Sequence, residues 1–496
     1  MKRNSGILLH PTSLPDTPIC GTFGKPARLW LNDLAKSGIG VWQFLPLAPP
    51  DSLGSPYSSP SSFAFNPWFL DGNDLVRDGF IDKSLEKNHS SFEDSEKRVD
   101  FQLANLKVKL LSHSLVDYWE KQNATIKEEF EIWCKNQFWL DDHSIFMELK
   151  IQNNDLPWWE WPDEYADRDK NELENWKKNN QRELLGHNLL QWHLDRQWKL
   201  IRELAKNLEI LLFGDVPFYV SKDSADVWSN RSLFSILTNS DTFFQSGVPP
   251  DYFSETGQLW GNPVYRWSRH KASNYRWWRK RISRHLEQVD FLRLDHFRAL
   301  EAFWAIPGKD KTAENGFWLP SPGREILRLI KNDCSGLLPL VAEDLGLITS
   351  KVERLRDDYE LVGMKILQFA FDGNLDNPYL PENIKNENWI VYTGTHDNST
   401  SQGWWREMDQ DRKEQIRERL LDYENFTSWE LIRIGMETKA KLFVAPMQDL
   451  LNLDDSARLN KPGTIENNWT WRLSRNDMNI EEAIKKYGDL AKANKR

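Results

Sequence analysis

Apolar positions along the chain alternate between two spacings. Over 26–39, Ala27, Leu29, Trp30, Leu31, Leu34 and Ala35 recur at helical spacing up to Gly38, and an apolar run over 41–47 reads as a strand almost at once. A Pro/Ser-rich stretch, 48–62, reads as turns, and the apolar piece 63–70, interrupted by Pro67, reads as a weak strand. Between about 75 and 185 the texture becomes charged and helical, with segments over 103–121 and 125–140 and a Trp158-Trp159-Glu160-Trp161 cluster. From there strand follows helix repeatedly. A helix over 185–207 (Leu190, Leu194, Trp198, Ile201) leads to a strand at 210–213, and another strand covers 289–294. A helix at 322–333 precedes a strand at 338–342, strands follow at 362–371 and 389–392, and a helical region over 411–439 leads to a last strand at 442–446. Helix-then-strand alternation predicts a parallel sheet with crossover helices.

About eight such strands, several ending in acidic residues, predict an α/β fold of the closed (β/α)8 barrel type, a TIM barrel with helical and loop insertions. An open doubly wound sheet is expected to carry an early glycine-rich phosphate turn, and Gly21-Thr22-Phe23-Gly24 has the wrong spacing. At 496 residues the length exceeds an average domain, but one barrel with insertions reaches this size. The expected organisation is one catalytic barrel over 1–496, a mainly helical insertion over 76–185, and a lid loop over 245–263. That loop is rich in Gly, Pro and aromatics and leaves the same rim as the acidic tips.

Four tips carry the candidate chemistry: Asp215, Asp295, Glu343 and Asp397. Barrel geometry brings strand C-termini to one rim, and carboxylates crowded together raise one another's pKa, so one is protonated beside ionised neighbours. Retaining glycoside chemistry needs that division, with one carboxylate attacking the anomeric carbon and one carboxylic acid protonating the leaving oxygen. Arg293, two residues before Asp295, lies on the same face of the strand and pairs with it, which suits Asp295 as the nucleophile. Glu343 follows an apolar run with no adjacent base and is the better general acid, later the base. His296 and His396, each beside an Asp, are candidate donors to sugar hydroxyls. A metal reading of the cluster is disfavoured, because Asp344 and Asp290 alternate to the face opposite their acidic neighbours.

The totals narrow the class. Net charge is −10 with no basic run, which opposes nucleic-acid binding. Twenty-five Trp supply flat faces of the kind that stack on sugar rings. The three cysteines, Cys20, Cys134 and Cys334, are far apart and suit a reducing compartment. The apolar piece Ile7-Leu8-Leu9 is cut by His10-Pro11, too short for a signal-peptide core, and no run approaches membrane-spanning length. A cytoplasmic protein is expected.

With these residues in hand, the chain resembles the 4-α-glucanotransferases, the amylomaltase or disproportionating-enzyme family of the α-amylase superfamily. The resemblance runs nearly end to end. It rests on Gly6-Ile7-Leu8-Leu9-His10-Pro11-Thr12-Ser13-Leu14-Pro15, Ser55-Pro56-Tyr57-Ser58-Ser59, Gly214-Asp215-Val216-Pro217-Phe218-Tyr219-Val220, the lid segment, Arg293-Leu294-Asp295-His296-Phe297-Arg298, Ala342-Glu343-Asp344-Leu345-Gly346, Gly394-Thr395-His396-Asp397-Asn398 and Asn467-Asn468-Trp469-Thr470-Trp471-Arg472. It implies Asp295 as nucleophile, Glu343 as acid/base and Asp397 as the carboxylate that binds and distorts the sugar at the cleavage site. Arg293, His296, His396 and Asp215 are then substrate contacts, with Tyr57 on the acceptor side and Asp251, Glu255 and Trp260 on the lid.

The resemblance also implies α-1,4-glucans and maltooligosaccharides as substrates, no metal or organic cofactor, and no separate C-terminal β-domain. Where the family usually reads Gly-Ile-Gly-Asp-Leu-Gly, this chain has Ile19-Cys20-Gly21-Thr22-Phe23-Gly24, so the acidic contact to outer sugars is missing. An amylase-like hydrolase would use the same carboxylates, and a silent glucan-binding protein would tolerate the loss of one.

Overall fold

The computed structural model describes residues 2–82, 98–250, 254–474 and 479–496. Eight parallel strands form its centre: β1 (Asn4–Leu8), β2 (Val41–Gln43), β3 (Leu211–Val216), β4 (Phe291–Leu294), β5 (Leu340–Ala342), β6 (Gly363–Ile366), β7 (Trp389–Tyr392) and β8 (Leu442–Pro446). Each pairs with its neighbour in chain order, and β1 also pairs with β8 through Asn4 opposite Leu442. A parallel bridge between Val341 and Val362, with the Ala342 N–H donating to the Val362 carbonyl at 2.8 Å, joins β5 to β6 and closes the ring. The strands are short and buried on both faces, as a barrel wrapped by helices requires.

The crossover helices bury one stripe each. Lys25–Lys36 buries Ala27, Trp30, Leu31 and Leu34, has Pro26 in its first turn where a missing N–H costs nothing, and gives way to Gly38 at φ +72°. The 27-residue helix Gln181–Asn207 buries Trp198 against the barrel wall at β2. There the ring meets Phe23 at 4.6 Å, Phe44 at 5.5 Å and Trp42 at 6.4 Å between centroids, and its indole N–H donates to the Gln288 carbonyl at 2.9 Å. Helices Phe101–Trp119, Ala124–Asn136 and Leu140–Gln152 precede it and pack along it. Among the described residues no helix is long and apolar enough to cross a membrane.

Several expectations change, among them the strand expected over 362–371, which ends at Ile366 and passes into a 3-10 turn, Leu367–Phe369. The piece 63–70 is not a strand: Pro67 opens a 3-10 turn, Pro67–Phe69, and the Asn66 side chain accepts the Trp68 N–H at 3.0 Å. The eighth strand is instead β1, whose Asn4-Ser5-Gly6 start hides its strand character. The helical region 411–439 breaks into Gln410–Ile416, a 3-10 turn Arg417–Arg419, and Ser428–Glu437.

A second sheet is the larger surprise. Strands Gln258–Pro263, Phe244–Val248, Ala302–Pro307 and Phe317–Pro320 pair antiparallel in that order. The segment expected as an irregular lid is therefore mostly a β-hairpin, turned with Gly257 at φ +69°. A side chain at Gly247 would meet the Gln258 carbonyl at 2.2 Å, so the two strands approach this closely only because Gly stands there.

Trp198 joins the helical layer to the barrel wall. Trp198→Ala removes a buried ring and strands the Gln288 carbonyl, so a loss of about 3–5 kcal/mol is expected. A urea titration followed by circular dichroism reads this as a lowered midpoint.

Candidate active site

Strand register lays out the first part of the site. β3 and β4 place Asp215 directly opposite Arg293, so both side chains enter the same side of the barrel wall. The Arg293 Nη1 donates to Asp215 Oδ2 at 2.6 Å and Nη2 donates to Asp295 Oδ1 at 2.6 Å. Arg293 and Asp215 are buried, while the Asp295 side chain is 29% exposed at the tip of β4. Burial alone would lower the Arg293 pKa, but Asp215 and Asp295 outweigh it and push it well up, so the cation is held in place. Burial also raises the Asp215 carboxyl, against Arg293. The guanidinium fills the place between the two carboxylates that a divalent cation would need.

Glu343 stands one strand further round, directly after β5. Its Oε2 accepts the His296 N–H at 2.7 Å and its Oε1 accepts the Leu345 N–H at 3.1 Å. His296 reaches this position in the left-handed region, φ 51° and ψ 46°, which costs a non-glycine residue roughly 1–3 kcal/mol. Burial first, and the Asp295 charge second, push the Glu343 carboxyl up to about 8, with Arg293 and the Leu345 N–H opposing. A carboxyl group that keeps its proton at neutral pH thus sits beside Asp295, the residue paired with Arg293. Burial lowers the His296 imidazole to about 4, so the ring is neutral. Trp260 of the hairpin meets that ring edge-on at 4.8 Å, and Tyr219 lies at 6.2 Å.

Asp397 enters from the loop after β7. Its Oδ1 accepts from Asn460 Nδ2 at 2.6 Å, and Oδ2 stands 3.3 Å from His396 Nε2. Arg458 Nη2 donates to the Asp397 carbonyl at 2.6 Å. Tyr57 ties the two halves together. Its hydroxyl donates to Asp215 Oδ2 at 2.8 Å and its ring stacks on His396 at 5.0 Å, with Trp469 5.9 Å from both rings.

The four acidic tips, Arg293, both histidines, Tyr57 and Trp260 are therefore linked through one set of contacts. Glu255 is exposed at the hairpin turn, and Asp251, Tyr252 and Phe253 lie outside the described residues. Asn460 and Arg458 were not foreseen. No strand leads into them, and only contact with Asp397 marks them out. Trp469 stood within a family motif but without a place in the site. Chemically, the arrangement offers a paired carboxylate and a protonated carboxyl around one cleft, flanked by aromatic faces, which suits acid-assisted displacement at a sugar acetal.

The chain is similar to known proteins along nearly its whole length. A relative from Synechocystis described as a 4-alpha-glucanotransferase is 41% identical over 486 residues, 96% of this chain and 95% of its own. One from Thermus thermophilus with the same description is 38% identical over 98% of this chain and 97% of its own. The solved amylomaltase from Streptococcus agalactiae in complex with acarbose superposes with a TM-score of 0.94 at 33% identity, covering 99% of each chain. The family model for 4-alpha-glucanotransferases matches residues 9–478, nearly the whole chain, and the protein belongs to that family.

Proposed function

We propose that this protein severs an α-1,4-glucan and passes the cut segment to the 4-hydroxyl of another glucan or of glucose, by double displacement with retention. One observation carries the assignment of roles: Glu343 holds its proton to about 8 while Asp295, a strand away, is paired with Arg293. In the first step Glu343 gives its proton to the glycosidic oxygen as Asp295 attacks the anomeric carbon. The reducing-end part leaves and a glycosyl–Asp295 ester remains. In the second step the Glu343 carboxylate takes the proton of the incoming 4-hydroxyl, whose oxygen attacks the anomeric carbon and frees Asp295.

Asp397 holds and distorts the sugar at the cleavage point. Arg293, Asp215, His296 and His396 complete its contacts, and Tyr57 flanks the acceptor side. The hairpin within 245–263 acts as the lid, with Glu255 and Trp260 as substrate contacts and Asp251 a further contact of the same segment, and the helices of the 76–185 insertion frame the same single catalytic unit. Maltooligosaccharides fit these roles, with no nucleic acid partner. The three free cysteines favour a reducing compartment, the cytoplasm.

Maltotriose alone tests the reaction. A ladder of longer maltooligosaccharides with glucose, at a constant total of reducing ends, is expected. Rising reducing ends with nothing longer than the substrate would make the protein a hydrolase.

Two variants test the roles. Asp295→Asn should abolish turnover and Glu343→Gln should lower it by about 10²–10⁴-fold, both with native circular dichroism spectra. A near-normal rate in either overturns its role.

The pH profile follows from the protonated form that Glu343 must supply. The kcat/KM for transfer should fall on the alkaline side with an apparent pKa of about 8. Because the folded-state value lies above the ordinary carboxyl value, the neutral Glu343 favours folding at low pH. That contribution is lost as pH rises toward and through about 8. Glu343→Gln should therefore gain stability relative to the unsubstituted protein as pH rises, a trend that thermal melts at pH 5 and pH 9 measure directly.

A further inference from the structure

We propose that Asn460 is a positioning residue for glucan transfer, one that fixes the Asp397 carboxylate in the orientation that receives the sugar; this rests on the role given to Asp397 above. The Asp397 side chain is 44% exposed, and a short carboxylate on a loop has several staggered rotamers available. The contact that selects one is the Asn460 amide, 2.6 Å from Oδ1. Asp397 as a carboxylate only accepts, so the amide nitrogen is the atom that faces it, and the bond is charge-assisted. Oδ1 is thereby engaged and Oδ2 left beside His396 Nε2, 3.3 Å away.

The amide is itself held in position. The Asn460 N–H donates to the His396 carbonyl at 3.1 Å, which pins it to the residue preceding Asp397. Arg458 grips both partners: Nε donates to the Asn460 carbonyl at 2.9 Å, Nη2 to the Asp397 carbonyl at 2.6 Å and Nη1 to Ser399 Oγ at 2.9 Å. On the far side the Trp469 N–H donates to the Leu459 carbonyl at 2.7 Å and the Lys461 N–H to Asn468 Oδ1 at 2.9 Å. The 458–469 segment thus behaves as a clamp with a single side-chain donor on the carboxylate. A carboxylate that must stabilise a distorted sugar acts mainly in the transition state, so misplacing it lowers kcat more than it raises KM.

The test compares Asn460→Ala, Asn460→Asp and Asp397→Asn in the maltotriose transfer assay from pH 5 to pH 9, with thermal unfolding midpoints for each. Asn460→Ala should lose on the order of 10²-fold in kcat with little change in KM, by a constant factor across the range. Asn460→Asp keeps the shape but sets a second carboxylate against Asp397. Where both are ionised they repel. As pH falls the pair takes up one proton, and the resulting O–H restores a donor. The rate of Asn460→Asp relative to the unsubstituted protein should therefore rise as pH falls, while that of Asn460→Ala stays flat. Flat ratios for both variants, or an unchanged kcat in Asn460→Ala, overturn the proposal. An Asp397→Asn variant of near-normal rate overturns the role of Asp397 itself; an inactive one combined with flat Asn460 ratios overturns the positioning role alone.

Discussion

The site depends on one buried cation. Arg293 stands inside the barrel wall with a carboxylate on each side of its guanidinium, and both charges are compensated only because β3 and β4 are in the register that sets Asp215 opposite it. Removing one member of such a buried set typically costs about 3–5 kcal/mol, because the remaining charges lose their partners. The ion pairs are therefore a constraint on the strands as much as on the chemistry. A one-residue slip of β4 would turn Arg293 outward and leave Asp215 facing the lumen without its cation. Tyr57 extends this constraint to the loops. It donates to Asp215 while its ring packs on His396, so the loop after β2 and the loop after β7 are both referred to the same buried charge.

Around that fixed point, two carboxyl groups on neighbouring strands have unequal partners. Asp295 receives a guanidinium, whereas Glu343 receives two backbone N–H groups and the field of Asp295. The backbone donors hold the Glu343 side chain without supplying the full positive charge that would hold it ionised. One of them comes from His296, the residue immediately after Asp295, bent into the left-handed region. The geometry of the nucleophile's strand tip therefore also sets the position of the acid, and strain at His296 is the local cost of serving both.

Much of this was legible in the chain, for identifiable reasons. β5, β7 and β8 are continuous apolar runs, and β3 and β4 are apolar apart from Gly214-Asp215 and Arg293; a parallel strand buried on both faces leaves such a trace. The acidic tips follow from where such runs stop. β1 escaped notice because Gly6 is required by packing: a side chain there would meet the Val41 Cβ at 2.9 Å, so part of the strand carries no apolar signal. The second sheet escaped for a different reason. Phe-Gln-Ser-Gly-Val at 244–248 has no period of its own and becomes a strand only through partners at 258–263 and 302–307. Arg293 was read as the partner of Asp295 from spacing alone; its second bond, to Asp215, is a cross-strand fact. Asn460 and Arg458 left no trace, since a polar residue in a loop after the last strand looks like any solvated turn.

The seam of the barrel sets an order on its making. Asn4 leaves the ribosome well before its β8 partner, Leu442, and before the Tyr487 hydroxyl that donates to the Gly6 carbonyl at 2.8 Å. Until then β1 has β2 on one side and an unpaired edge on the other, the kind of surface that recruits stray strands. The 458–469 clamp on Asp397 arrives later still than β8. A growing chain thus carries Asp295 and Glu343 before it carries a closed barrel.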